Sequence, residues 1–93
     1  MAEKLQEDAT AYVVYLLKCA DESLYTGITN QLEHRLKMHE QGKASKYTRS
    51  RLPVTLVHVE RGYSKGEALS REKNIKNLPR KKKLLLLQNG ADC

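Results

Sequence analysis

The sequence predicts a single α/β domain, more narrowly α+β, with the element order β-β-α-β-α-α. Three observations lead to this fold class. Two segments near the start are rich in β-branched and aromatic residues, and a short run of turn residues joins them, which is typical of a β-hairpin. A third segment of the same kind lies in the middle of the chain. Segments with helical signals follow the second and the third of these strands.

The hairpin is predicted from AYVVYLLKC at 11–19 and LYTGIT at 24–29, with ADES between them. Valine, leucine and tyrosine dominate the first segment, as expected for a largely buried strand. Gly27 interrupts the second segment. A glycine inside a strand indicates a bulge or a place where another group comes close to the backbone.

The first helix is predicted to end at Gly42, because glycine suits the residue that follows a helix end. At roughly 100° per residue, Leu32, Leu36 and His39 fall on one stripe of this helix, and Arg35 lies at the edge of the stripe. We therefore expect the leucines to face the core and the arginine and histidine to lie near its border.

The remaining elements are a basic, turn-prone loop at 43–53, a third strand at 54–63, a helix at 64–78 and a further helix from Pro79 to Gly90. Ser64 and Glu67 have the spacing of a capping box, which satisfies backbone N–H groups of the first helical turn. Proline at the start and glycine at the stop of the last helix follow the usual asymmetry of helix ends. The bases of RKKK at 80–83 are expected to be solvated, and the leucines after them to pack inward.

One domain is expected at 11–89, between a flexible N-terminal arm at 1–10 and a short C-terminal tail at 90–93. The first ten residues are mostly polar and lack the apolar centre of a secretory signal. The longest leucine run has four residues, far short of a membrane span. The two cysteines have no metal-site spacing and fit a reducing cytoplasm, with Cys19 expected to be a small buried apolar residue.

The net charge is +6 and the sequence pI is near 9.4, which favours a polyanionic partner. Nucleic acid is the first expectation for such a partner, and no membrane role is expected. Four bases and a tyrosine in the loop at 43–53 offer phosphate contacts and a surface for base stacking. The alternative is that this loop is only a solvated basic turn.

Two tyrosines ten residues apart and a histidine one helical turn after an arginine form a recognisable pattern. Tyr15 closes the tripeptide VVY, Tyr25 opens YTG, and Arg35 and His39 lie on the first helix. With EALSREKNIK in the later helix, this pattern resembles the GIY-YIG nuclease superfamily. That superfamily includes the N-terminal nuclease domain of the bacterial excision-repair incision subunit and many homing endonucleases. The resemblance covers roughly 11–80 and is greatest to the compact single-domain bacterial branch.

The resemblance implies a small three-stranded antiparallel sheet flanked by helices. It also implies phosphodiester hydrolysis on branched, damaged or single-stranded DNA, in repair, with a single Mg²⁺ or Mn²⁺ ion as cofactor. The expected protein is a monomer that takes specificity from a protein partner. A different class of function is also open, namely a non-catalytic nucleic-acid-binding module on the same scaffold. A third is a protein-interaction domain that presents its basic loop to an acidic partner.

The resemblance assigns catalytic parts to Tyr15, Tyr25, Arg35, His39 and Glu72. The two phenols would enter one site, where one of them helps to deprotonate water; which one is left open. Arg35 suits a phosphate, because its guanidinium is planar and always charged. His39 would relay a proton or hold the phosphate.

Glu72 is also the expected metal ligand, in competition with Glu67. Glu67 is explained by the capping box, whereas Glu72 lies on the side of its helix that faces the core. A carboxylate directed at the sheet is costly unless it is paired or binds a cation. The residues expected to contact nucleic acid are Gly27, Lys43, Lys46, Tyr47, Arg49 and Arg51.

Overall fold

The computed structural model describes residues 11–91, so the predicted N-terminal arm at 1–10 lies outside the described residues. The elements are β1 (Tyr12–Lys18), β2 (Leu24–Thr29), α1 (Leu32–Glu40), α2 (Lys46–Arg49), β3 (Thr55–Tyr63), α3 (Lys65–Lys76) and α4 (Arg80–Ala91). The predicted α+β class and the order β-β-α-β-α-α are confirmed. The one addition is α2, a single helical turn.

The strands form one antiparallel sheet in the order β2-β1-β3, as the family resemblance implied. The central strand β1 is buried on both faces. Val14 and Leu16 pack with Ala68 and Ile75 of α3. The residues that alternate with Val14 and Leu16 along β1, including Tyr15, pack on the opposite face of the sheet, against α1. The sheet therefore has helices on both sides, and β2 is left as an edge strand.

Helix α1 ends in a Schellman motif at Gly42, where the sequence predicted its end. Gly42 has a φ of 75°, a conformation that favours glycine. Its N–H donates to the carbonyl of His39 at 3.0 Å, and the N–H of Lys43 donates to the carbonyl of Met38 at 2.9 Å. This turn leads the chain from the end of α1 directly into α2.

Three predictions about the extent or the packing of these elements need correction. The segment 43–53 is not a loop throughout, because the Ser45 hydroxyl caps α2 by accepting a hydrogen bond from the N–H of Thr48. Helix α4 passes through Gly90 to Ala91, so the predicted tail begins inside the helix. Only part of the leucine run packs inward, since Leu84 and Leu85 are exposed while the two leucines after them reach the core.

Two local predictions are confirmed. The capping box of α3 is present, with hydrogen bonds in both directions between Ser64 and Glu67. Cys19 is buried, as expected for a small apolar residue. Within residues 11–91, none of the helices has the length and apolar character needed to cross a membrane.

A charged cluster fixes α3 to the sheet. Arg71 donates two hydrogen bonds to the carboxylate of Glu60 on β3, at 2.7 and 2.9 Å, and Tyr63 donates a third at 2.9 Å. The hydrogen bonds from Arg71, followed by those from His58 and Tyr63, lower the pKa of Glu60 from 4.5 to about 2. Because the side chain of Arg71 is hydrogen-bonded to Glu60 on β3, the side chain of the next residue, Glu72, lies on another side of α3.

We predict that this cluster makes stability depend on pH in the acid range. A lowered carboxyl pKa gives stability that is complete above pH 4.5 and is lost as the pH falls towards 2. Glu60→Gln should therefore reduce the free energy of unfolding at neutral pH, by up to about 3 kcal/mol. Urea unfolding at several pH values should show the two proteins converging towards pH 2. Glu33→Gln, at an exposed position of α1, is the charge-matched control. A constant difference between Glu60→Gln and the original protein at all pH values would contradict the prediction.

Candidate active site

Three rings from three elements meet between the sheet and α1. The ring of Tyr15 lies 5.7 Å from that of His39 and 6.4 Å from that of Tyr25, measured between centroids. The rings of Tyr25 and His39 are 5.3 Å apart. β1 and β2 position the phenols, because Tyr15 and Tyr25 point to the same face of the sheet, and α1 supplies the imidazole. The structure thus brings together three of the five predicted catalytic residues in direct contact.

A hydrogen-bond chain runs through this cluster. The hydroxyl of Tyr15 lies 2.9 Å from Nε2 of His39, and Nδ1 of the same ring lies 2.8 Å from Oγ1 of Thr48. The Thr48 hydroxyl donates to the carbonyl of Ser45 at 3.4 Å. If Thr48 uses its own proton on that carbonyl, its oxygen accepts from Nδ1–H, and Nε2 is left to accept from the phenol. We infer this direction for the chain, from Tyr15 through His39 to Thr48.

This direction of the hydrogen-bond chain requires an uncharged His39 and a protonated Tyr15, and burial favours both states. His39 is fully buried, not at the border of the core as the helical stripe predicted. Burial, and then the charge of Arg35, lower the pKa of His39 below 6.5. Burial, and then the neighbouring Tyr25, raise the pKa of Tyr15, while Arg35 opposes this rise. At neutral pH the imidazole is therefore uncharged and the phenol keeps its proton.

Gly27 makes room for the phenol of Tyr15. The two residues are directly opposite each other in the β1–β2 ladder. A Cβ atom at position 27 would lie 2.6 Å from both Cζ and Oη of Tyr15, a separation that real structures do not tolerate. The group that approaches the backbone here is thus a side chain of the protein itself. The expected contact of Gly27 with nucleic acid is corrected, because Gly27 is buried beneath this ring.

Glu72 lies on α3. Its side chain is only 19% exposed, and Oε2 is 3.3 Å from Nζ of Lys76, a residue that lines the same cleft as Tyr25. Burial and Tyr25 raise the pKa of Tyr15 first, and the charge of Glu72 adds the smallest contribution. Arg35 is half-buried on α1 and influences both Tyr15 and His39 through its charge. Glu67, the competing acid, is exposed and engaged in the capping box.

The donor set around Glu72 fits a hard, largely hydrated cation. Within residues 11–91, no group of three or more His, Cys, Asp or Glu side chains is arranged to hold a metal ion. The partly buried carboxylate of Glu72 offers oxygen donors, and the ammonium of Lys76 lies 3.3 Å from it. Mg²⁺ accepts such a site, since it binds through one or two carboxylates and keeps several of its waters. Glu72 is the residue that would hold it.

The basic loop divides into two parts. Lys43, Lys46 and Arg49 line one open pocket of about 370 Å³. Arg51 does not join them: its Nε donates to Asp21 at 3.0 Å, and its guanidinium lies 3.9 Å from the centre of the Tyr47 ring. We therefore reassign Arg51 from nucleic-acid contact to support of that ring. Tyr47 in turn lies next to Tyr25, with 6.0 Å between the ring centroids.

Thr48 and Lys83 lie at the site but were not predicted from the sequence. Thr48 is fully buried, and its hydroxyl is hydrogen-bonded to Nδ1 of His39. The spacing of Ser45 and Thr48 was the available signal, because a serine three residues ahead of a threonine can cap a helical turn. Lys83 was grouped with the solvated bases of α4, yet it is half-buried and lines a cleft beside Tyr25.

Comparisons with known proteins agree with this arrangement. A family model described as the GIY-YIG catalytic domain matches residues 11–84. A UPF0213 protein of Oceanobacillus iheyensis is 53% identical over 77 residues, which is 83% of this chain and 90% of that protein. A UPF0213 protein of Clostridium perfringens is 57% identical over 78 residues, 84% of each chain. The solution NMR structure of a UPF0213 protein from Bacillus halodurans is 44% identical, covers 85% of each chain and has a TM-score of 0.54.

We predict that Gly27→Ala destabilises the protein by about 1–3 kcal/mol, because the new methyl group would displace a packed, hydrogen-bonded phenol. Urea unfolding measures the change. Gly66→Ala on α3 is the control, since a Cβ there meets nothing within 4 Å. The helical control should be neutral or up to about 1 kcal/mol more stable. Equal effects of the two substitutions would contradict the close approach of Tyr15.

We further predict that His39 carries its proton on Nδ1 at neutral pH, which long-range ¹H–¹⁵N NMR of the imidazole detects. Thr48→Val would leave this N–H without a partner in a buried place, at a cost of about 1–3 kcal/mol. Thr48→Ser keeps the hydroxyl and should retain both the tautomer and most of the stability. An Nε2-protonated ring in the original protein would refute the direction of the chain.

Proposed function

The chain belongs to the GIY-YIG catalytic domain family, and from that premise we propose that it is a metal-dependent endonuclease that hydrolyses phosphodiester bonds in DNA. One observation carries the proposal. An uncharged imidazole lies at hydrogen-bond distance from a buried phenol, and a partly buried carboxylate is paired with a lysine that lines the same cleft as Tyr25. A proton acceptor and a cation ligand are the two groups that hydrolysis by activated water requires.

The hydrogen-bond chain gives the proton of the attacking water a destination. The buried phenol keeps its proton at neutral pH because burial raises its pKa, so it can take a proton from water only by giving its own away. If Tyr15 passes its proton to Nε2 of His39 while it takes one from water, no free phenolate is needed. The ring then carries a positive charge, and Thr48 continues to accept the hydrogen bond from Nδ1–H. This assigns the relay to Tyr15 and leaves Tyr25 to face the substrate.

The other residues act on the phosphate. Arg35 would stabilise the charge that develops on phosphorus-bound oxygens, a part suited to its planar and permanent charge. Tyr25, which lines the open cleft, would donate a hydrogen bond to the phosphate. Glu72 would hold Mg²⁺ or Mn²⁺, an ion that lowers the pKa of water and neutralises phosphate charge when bound. Lys43, Lys46 and Arg49 would contact the strand at the rim.

A second candidate, a nucleic-acid-binding module without catalysis, has one observation in its favour. The ammonium of Lys76 is paired with the carboxylate of Glu72, the position that a catalytic cation would take. If this ion pair persists when Mg²⁺ is present, the basic surface would still bind a strand, but no hydrolysis would follow. Cleavage assays separate the two candidates directly.

We predict that Glu72→Gln abolishes cleavage of supercoiled plasmid and of branched flap DNA in Mg²⁺. The loss should be at least on the order of 100-fold, since substitution of residues that only support a metal ligand already costs about 10- to 100-fold. Glu67→Gln, on the same helix and with the same change of charge, should lower stability slightly and leave the rate per folded molecule unchanged. If both variants cleave alike, Glu72 does not hold the ion. If the original protein binds DNA but cuts none of it, the binding module is the correct function.

A further inference from the structure

A cleft of about 250 Å³ opens along the free edge of the sheet, directly beside the candidate active site. Its lining residues are Leu24, Tyr25, Thr26, Tyr47, Lys76 and Lys83. They come from four elements, since β2 forms the floor, α2 forms one wall and α3 and α4 form the other. The cleft thus lies where the two helical layers of the domain meet at the edge strand.

One wall of the cleft is aromatic and is held firmly in place. The rings of Tyr25 and Tyr47 lie 6.0 Å apart with 31° between their planes. The guanidinium of Arg51 covers Tyr47 at 3.9 Å, and Asp21 fixes that guanidinium by a hydrogen bond of 3.0 Å. Tyr47 is nevertheless 37% exposed. A rigid and partly exposed aromatic surface of this kind suits contact with a flat, apolar ring.

The opposite wall is cationic. Lys83 is half-buried, whereas Lys81 and Lys82 on the same helix are exposed. Lys76 joins it, with its ammonium 3.3 Å from Glu72. No acidic side chain among the described residues lines the cleft. The positive charge of Lys83 is therefore available to a ligand bound in the cleft.

We propose that this cleft binds one unpaired nucleotide next to the bond that is cut. Its phosphate would lie between Lys76 and Lys83, and its sugar and base would lie against the wall formed by Tyr25 and Tyr47. The inference deepens the proposed function and rests on it. Tyr25 and Lys76 connect the two sites, because Tyr25 contacts His39 and Lys76 contacts Glu72.

The size of the cleft suits one nucleotide, since its volume is about 250 Å³. A base must leave its stack to enter, which costs least in a strand that is already single. The substrate is therefore single-stranded at this position, as in a flap, a loop or a free end.

Fluorescence anisotropy at several salt concentrations tests the inference, with a fluorescein-labelled oligothymidylate of ten nucleotides and a blunt-ended duplex that has no unpaired nucleotide. Lys83→Gln should weaken binding of the single strand several-fold and reduce its log–log salt slope by about 0.7, the value for one lost phosphate contact. Duplex binding should change little. Lys82→Gln, the same substitution at the exposed neighbour, should leave single-strand binding nearly unchanged, and Lys83→Arg should restore it.

Equal behaviour of Lys83→Gln and Lys82→Gln overturns the inference, even if the protein cleaves DNA and the proposed function stands. Selective weakening by Lys83→Gln without cleavage by the original protein supports the nucleotide cleft and defeats the catalytic proposal. Titration of the ¹⁵N-labelled protein with thymidine 5′-monophosphate adds an independent readout. The amide signals of Leu24, Thr26 and Tyr47 should shift most, and shifts confined to Lys43, Lys46 and Arg49 would also overturn the inference.

Discussion

The buried hydrogen bond between the phenol of Tyr15 and the imidazole of His39 is the interaction on which the rest of the site depends. It joins the central strand to α1 and requires space opposite Tyr15, which Gly27 provides. It also requires an uncharged imidazole with its other nitrogen satisfied, which burial and Thr48 provide. Because a buried polar group without a partner is costly, each of these residues constrains the others.

The layers of the sheet explain how distant residues reach one site. Tyr15 faces α1, whereas Glu72 belongs to α3, which packs on the other face of β1. The two sides meet only at the edge strand β2, so the candidate site and the nucleotide cleft both lie along that edge. The hydrogen bonds between Arg71 and Glu60 hold the helix in the rotation that directs Glu72 there.

Sequence reasoning succeeded where local chemistry decides the outcome. The strands, the capping box and the end of α1 at Gly42 follow from residue type and spacing. It failed where a distant contact decides. Gly27 indicates that some group comes close to the backbone of β2, but only the register of β1 and β2 shows that this group is the side chain of Tyr15. The reassignment of Arg51 depends on Asp21, thirty residues earlier in the chain.

The same limit applies to residues that the sequence could not distinguish. Lys81, Lys82 and Lys83 are identical in type, and only the packing of Leu86 and Leu87 on the core sets which of them turns towards the sheet edge. Thr48 resembles any polar loop residue until α2 is seen to place it beside His39. Both residues acquire their roles from the helix on which they lie.

The central claim is that Glu72 would hold a single cation at the site that contains Tyr15, Tyr25 and His39. Paramagnetic broadening of amide signals by Mn²⁺ tests it most directly, because the effect falls off steeply with distance from the ion. The account predicts one centre of broadening next to Glu72 that also reaches Tyr15 and Tyr25. Broadening centred elsewhere, for example on Glu60, or no localised broadening at all, would contradict it.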